Sequence, residues 1–269
     1  MRPIHYTAPE ALASLISFYG IIEADEDFHE SYCSPPLGLC GLHFNFEGVV
    51  DARLKGEPFL KDRYCVSGQI TAPMIGNITG KTRSFLVFIQ PCGLYQLFGF
   101  DMSLLTNTSI PLREFLGGEE WRILFEKLYT AESNETMVAV MNEYFLAQFP
   151  VFEIAPKVAK ALDYIHQNKG NVSVKDIEAN CYITARSLER HFHLYIGLSP
   201  KEYAKIYRFK CLVNFIGQNP GIAWDALCEK NGYYDQSHLT RYFTRYMRMK
   251  PGEMVNLDKD FISYLLQES

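Results

Sequence analysis

The sequence predicts an α+β protein, with a β-rich N-terminal block flanked by helices and an all-α block after it. Three observations carry that prediction. Short aromatic and β-branched runs ended by Gly or Pro fill the first half, as strands do. Apolar residues at three- and four-residue spacing fill the second half, as amphipathic helices do. The texture changes near Pro150, which divides the chain into blocks 1–150 and 157–254, with a tail 255–269 that reads as helical. A length of 269 residues, 48% apolar and 21% charged, suits one or two globular domains and excludes a wholly disordered chain.

Residues 11–22 are apolar enough to pass for a signal-peptide core. However, His5, Pro9 and Glu10 stand where a basic leader belongs, and Glu23-Ala24-Asp25-Glu26-Asp27 replaces a cleavage site. The stretch therefore reads as an amphipathic first helix. Leu42-His43-Phe44-Asn45-Phe46, ended by Gly48, and Ser84-Phe85-Leu86-Val87-Phe88-Ile89, ended by Pro91-Cys92-Gly93, read as strands. Residues 111–149 read as helical. Leu112, Phe115 and Leu116 share one face there, and Trp121, Leu124, Phe125 and Leu128 share another.

Past Pro156, Val158, Ala161, Leu162 and Ile165 recur at helical spacing, and Gly170 closes that helix. Ser173 caps a short helix to Asn180, and Thr184 caps the next, to Gly197. Pro200 opens a longer helix to about Ile216, ended by Pro220-Gly221. A second set runs from Trp224 to Lys230 and from Asp235 to about Tyr246.

A net charge of −5 conceals an asymmetry. Residues 156–255 carry 15 Lys+Arg against 9 Asp+Glu, whereas residues 1–155 carry 10 against 19. The basic half points to a polyanionic partner. Seven cysteines form no CxxC pair, so a disulfide framework or zinc site is not expected and a reducing cytoplasm is.

The helical block contains a repeat. Thr184-Ala185-Arg186-Ser187-Leu188-Glu189-Arg190-His191-Phe192 matches Asp235-Gln236-Ser237-His238-Leu239-Thr240-Arg241-Tyr242-Phe243 at an offset of 51 residues, and Pro200 and Pro251 keep the same offset. At 100° per residue, Leu188, Phe192 and Tyr195 form one inward stripe, opposite Arg186, Arg190 and His193. Leu239, Phe243 and Tyr246 form the other, opposite Ser237, Arg241 and Thr244. An outward Arg-bearing face on a helix held by a preceding short helix suits a helix-turn-helix entering the major groove. The helix between, roughly 24 Å long at 1.5 Å per residue, suits two such helices set near one DNA turn apart.

Two segments carry a resemblance. Ser187-Leu188-Glu189-Arg190-His191-Phe192 with Gly197-Leu198-Ser199-Pro200, and Gly232-Tyr233-Tyr234-Asp235-Gln236-Ser237-His238-Leu239-Thr240-Arg241-Tyr242-Phe243, resemble the double helix-turn-helix module of AraC/XylS-type transcription regulators. The resemblance implies base-facing positions at Arg186, Glu189 and Arg190 in the first helix. In the second it implies Gln236, Ser237, His238 and Arg241, with Arg245 nearer the phosphates. Glu178 and Cys228 stand where that family places small residues, and Arg248 stands where it places Gly. Leu42 to Phe46, Pro91 to Gly99 and Leu104 to Asn107 resemble the sensor domain of some bacterial regulators. That implies a cupin-like β-barrel that binds an effector or dimerises. The implied partners are double-stranded DNA, a small-molecule effector, RNA polymerase if the chain activates, and a second copy, with no membrane.

No catalytic residue, cofactor or metal site is expected. His191 and His193 point about 200° apart on one helix, and His5, His29 and His43 show no HxH spacing. GxSxG, P-loop and GxGxxG motifs are absent. Cys92 reads as a structural thiol. Phe85, Phe88, Tyr95 and Phe98 are the candidate effector-pocket residues, with Phe100 beside them. The competing readings make block 1–150 an enzyme-like domain or a purely dimerising one, carrying the DNA-binding module as an appendage.

Overall fold

The computed structural model describes residues 4–25, 27–219, 227–228 and 235–249. An antiparallel sheet frames the N-terminal block, as expected. Its strands are β1 (Ile4–Tyr6), β2 (Ile16–Ala24), β3 (His29–Ser34), β4 (Cys40–Leu54), β5 (Glu57–Pro58), β6 (Tyr64–Ser67), β7 (Met74–Ile89) and β8 (Ser109–Pro111). They run in the order β1-β2-β7-β4-β6-β8, with β3 beside the first half of β7 and β5 at the far end of β4. The long strands β4 and β7 pair from Cys40–Ile89 to Leu54–Met74, and register shifts near Asn45 and Glu47 bend the ribbon. Gly48 sits in that bend at φ 82°, where a Cβ would meet the Lys81 carbonyl oxygen at 2.8 Å. Only glycine fits there.

Strand side chains alternate faces, and this sheet uses the two faces differently. One face, with Tyr19, Ile21, Leu42, Phe44, Phe85 and Val87, packs on a helical layer. That layer is α1 (Gly93–Phe98), α2 (Leu112–Leu116), α3 (Gly118–Tyr129) and α4 (Asn134–Leu146). The other face, with His43, Asn45, Ser84, Leu86 and Phe88, lines a cavity.

Residues 11–22 are not a helix. A single 3-10 turn, Glu10–Leu12, leads into β2, which is buried from Ile16 to Ile22 between β1 and β7. A strand covered on both faces reads as an unbroken apolar run, without the alternation that separates strand from buried helix.

The C-terminal block is helical: α5 (Pro156–Gln167), α6 (Val174–Cys181), α7 (Ala185–Ile196), α8 (Pro200–Gln218) and α9 (Gln236–Met247). The caps explain the boundaries. Ser173 and Asp176 form a reciprocal capping box on α6, and Thr184, Ser199 and Asp235 each accept a backbone N–H at the start of α7, α8 and α9. The predicted helix 224–230, the Gly232-Tyr233-Tyr234 segment, Pro251 and the tail 255–269 lie outside the described residues. Leu227 and Cys228 are the exceptions, and both are buried.

One core joins the two blocks. Phe18, Leu37 and Cys92 are buried in the same cluster as Leu188, Phe192, Phe209 and Phe243. At that junction Tyr95 meets Tyr195 with ring centroids 4.4 Å apart, and the Thr106 hydroxyl donates to the Gly197 carbonyl. Gly197 ends α7 at φ 85°, where a Cβ would come 2.6 Å from the Met102 carbonyl oxygen.

Candidate nucleic-acid interface

Helix α7 buries the predicted stripe: Leu188, Phe192 and Tyr195 all face the core. Arg186, Glu189, Arg190 and His193 are exposed on its other side. Glu189 lies 3.3 Å from His193, and Arg190 Nη2 lies 3.4 Å from His191 Nε2. Arg186 makes no ion pair among the described residues. Glu178, the unexpected residue of α6, is put to use, because its Oε1 accepts the Ala185 N–H at 2.5 Å. That bond ties the first helix of the unit to the start of the second, and a carboxylate near a helix N-terminus also suits the helix dipole.

Helix α9 repeats the arrangement. Leu239, Phe243 and Tyr246 are fully buried, and Phe209 of α8 meets Phe243 and Tyr246 at 5.7 and 5.0 Å between ring centroids. The Tyr242 hydroxyl donates to the Lys205 carbonyl, which seats α9 on α8. Gln236, Ser237 and Arg241 are exposed, and Arg241 makes no ion pair among the described residues.

Two candidate positions are placed differently from that outward face. His238 is half-buried, with its backbone N–H held 2.7 Å from the Asp235 carboxylate. Arg245 is exposed but paired with Glu202 of α8 at 3.0 Å and lies over the Tyr246 ring, so its charge is engaged within the protein. Arg248 ends α9 in the left-handed conformation with φ 56°, its N–H bonded to the Thr244 carbonyl. It takes the backbone role that a C-terminal glycine usually has.

Tyr182 was not singled out from the sequence. It sits at the turn between α6 and α7, 76% exposed, with Lys160 over its ring and Lys157 donating to its carbonyl. The available signal was the pair of lysines one helical turn apart on α5, which places two cations beside this turn.

Of the four candidate effector residues, Phe88 lines the sheet cavity and the other three do not. Phe85 is on the opposite face of β7, fully buried against the helical layer. Tyr95 packs on Tyr195, and Phe98 packs edge-on to Phe115 at 5.1 Å. The cavity holds about 110 Å3 and brings together His43 and Asn45 of β4, Ser67 of β6 and Ser84 of β7. Burial lowers the His43 pKa to about 4, so its ring is neutral at pH 7.

Among the described residues no three His, Cys, Asp or Glu side chains are grouped to hold a metal, and no helix is long and apolar enough to cross a membrane. All seven cysteines are free. Burial pushes the Cys92 thiol up to about 12, which removes it as a nucleophile near neutral pH.

The capped pair α6–α7, and the helix α9 that repeats the buried stripe and outward polar face of α7, have the features of a helix-turn-helix module. Residues 179–256 match the family described as "Helix-turn-helix domain", and residues 4–111 match a "Domain of unknown function (DUF6597)". Residues 179–256 are thus a helix-turn-helix domain of the AraC type, a DNA-binding module. No curated protein matches the sequence.

Among solved structures, ToxT from Vibrio cholerae bound to (E)-4-(8-methylnaphthalen-1-yl)but-3-enoic acid is 9% identical, covering 93% of this chain and 98% of its own, with a TM-score of 0.49. A second ToxT structure is 10% identical over 90% of this chain and 98% of its own, with a TM-score of 0.47. The C-terminal domain of AraT, a response regulator from Geobacillus stearothermophilus, is 16% identical over 40% of this chain and 89% of its own, with a TM-score of 0.36. These likenesses are distant, and the helix-turn-helix match covers residues 179–256 alone.

Proposed function

We propose that this protein reads a specific DNA sequence by setting α7 and α9 into successive major grooves. We further propose that residues 1–150 tune that binding in response to a small molecule. The observation that carries the first part is the matched pair of exposed faces, each backed by a fully buried stripe. Arg186, Arg190 and Arg241 can donate to guanine, Gln236 can both donate to and accept from adenine, Glu189 can accept from a cytosine amino group, and Ser237 and His238 can bond to a purine edge. Helix α8 has 19 residues, about 28 Å at 1.5 Å per residue, a length suited to spacing two recognition helices by about one DNA turn. The module spans residues 157–254 in this reading, and RNA polymerase is a partner if the protein activates.

The sensing role draws on the cavity, which is walled by β-strands and contains a few convergent polar groups. Homodimerisation is a companion role. It is supported by exposed apolar side chains on and after the outer helices: Ile123, Tyr129, Leu146 and Phe149. Selection of bound sequences from a random DNA pool tests the main reading. Two half-sites roughly 10 base pairs apart are expected. Recovery of no motif, or of a single half-site, would contradict readout by both helices. Sedimentation of the free protein tests the dimer.

A further inference from the structure

The chemistry of the sheet cavity goes beyond what DNA binding requires. Its polar groups are set together by strand register. Asn45 lies opposite Ser84 across β4 and β7, and Gly41 lies opposite Ser67 across β4 and β6. His43 Nε2 sits 2.8 Å from Ser67 Oγ, which pairs those two groups. Ser84 and Asn45 are different. Ser84 is 2% exposed and its hydroxyl has no hydrogen-bond partner, and Asn45 is 5% exposed with no side-chain hydrogen bond among the described residues. A buried polar group without a partner is costly, so a molecule that bonds to the Ser84 hydroxyl gains from it, and the Asn45 amide beside it offers a second bond.

The rest of the wall is mostly apolar, with Ile22, Leu39, Val50, Phe59, Ile78 and Leu86, and Tyr32 and Ser34 add two uncharged polar side chains. No Lys, Arg, Asp or Glu lines it among the described residues. A carboxylate brought here would shed its hydration and find no counter-charge, because the His43 imidazole is neutral at pH 7. Size adds a second constraint. An apolar protein cavity of roughly 150 Å3 holds benzene, so about 110 Å3 limits an occupant to about the size of a single ring.

We propose that the cavity binds an uncharged, ring-sized molecule bearing a hydroxyl or carbonyl group, held by Ser84 and Asn45 beside the His43–Ser67 pair, and that it rejects carboxylates. This rests on the reading that residues 1–150 sense a small molecule, and it adds the ligand class. The test is calorimetric titration of the full chain at pH 7 with benzyl alcohol, benzoate and toluene, which share a ring and differ in charge and hydrogen bonding. Benzyl alcohol should bind at least about tenfold more tightly than benzoate. Ser84→Ala with Asn45→Leu should weaken benzyl alcohol about fivefold or more and leave toluene unchanged, with melting curves to verify folding.

Equal or tighter benzoate binding overturns the proposal. So does failure of all three probes to bind, or benzyl alcohol affinity that ignores the two substitutions. Gel shifts on the selected DNA separate the two levels. Benzoate that binds and changes DNA affinity would sink the ligand class and keep the sensing role. Benzyl alcohol that binds as described without changing DNA affinity would do the reverse.

Discussion

Replacing Arg241 by Ala separates a base contact from a charge contact. The guanidinium is exposed and has no ion-pair partner among the described residues, so its removal breaks nothing in the free protein. Stability should change by less than about 0.5 kcal/mol. If Arg241 bonds bidentately to guanine, the lost contact is worth roughly 1–3 kcal/mol, or about 5- to 150-fold in Kd. That loss should fall on the selected sequence and spare unrelated DNA. Arg245 is the internal control, since it must give up Glu202, 3.0 Å away, before it can hold DNA. Arg245→Ala should therefore cost less than Arg241→Ala. The assay is a gel-shift series on matched and scrambled duplexes across salt concentrations. Equal losses on both duplexes, with the salt slope falling by about one, would make Arg241 a phosphate contact and refute the reasoning.

Three further outcomes are expected. Phe209→Ala removes the ring that α9 packs on and should cost roughly 3–5 kcal/mol in urea unfolding, with loss of binding at one half-site before the other. Gly197→Val combines left-handed strain of about 1–2 kcal/mol with a Cβ placed 2.6 Å from the Met102 carbonyl oxygen. It should lower Tm by at least about 4 °C by calorimetry, and an unchanged Tm would show that the junction yields. His43 has a folded pKa depressed to about 4, so its neutral form is favoured by folding. The stability this supplies is complete above about pH 6.5 and falls away as the pH drops toward 4, on the order of 3 kcal/mol in all. His43→Gln should flatten that part of a stability–pH curve measured by denaturant titration.

The C-terminal block was legible because local signals agreed there. Ser173, Thr184 and Asp235 cap the helices whose starts they marked, and both apolar stripes lie inward as their spacing required. The sheet was legible only in part. Residues 11–22 carried no alternation because β2 is covered on both sides, so strand and buried helix look alike there.

The effector residues were mixed by parity. Phe85 and Phe88 are three apart on one strand and must face opposite ways. The same parity, applied to β4, sets His43 and Asn45 on the face opposite Leu42 and Phe44, a signal that was present and unused. The ion pair between Glu202 and Arg245 and the bond from Thr106 to Gly197 join residues 43 and 91 positions apart, where no periodicity reaches.

Leu37 belongs both to the lining of the sheet cavity and to the core that encloses the helices of the C-terminal block. The backbone of its neighbour Gly38 lies against Tyr203 and Ile206 of α8. The two compartments therefore share a party wall. In the proposed sensing role, thermodynamic reciprocity applies across that wall: whatever factor an occupant imposes on operator affinity, the operator must return to the occupant. Ligand titrations with and without bound duplex would then report the coupling from either end.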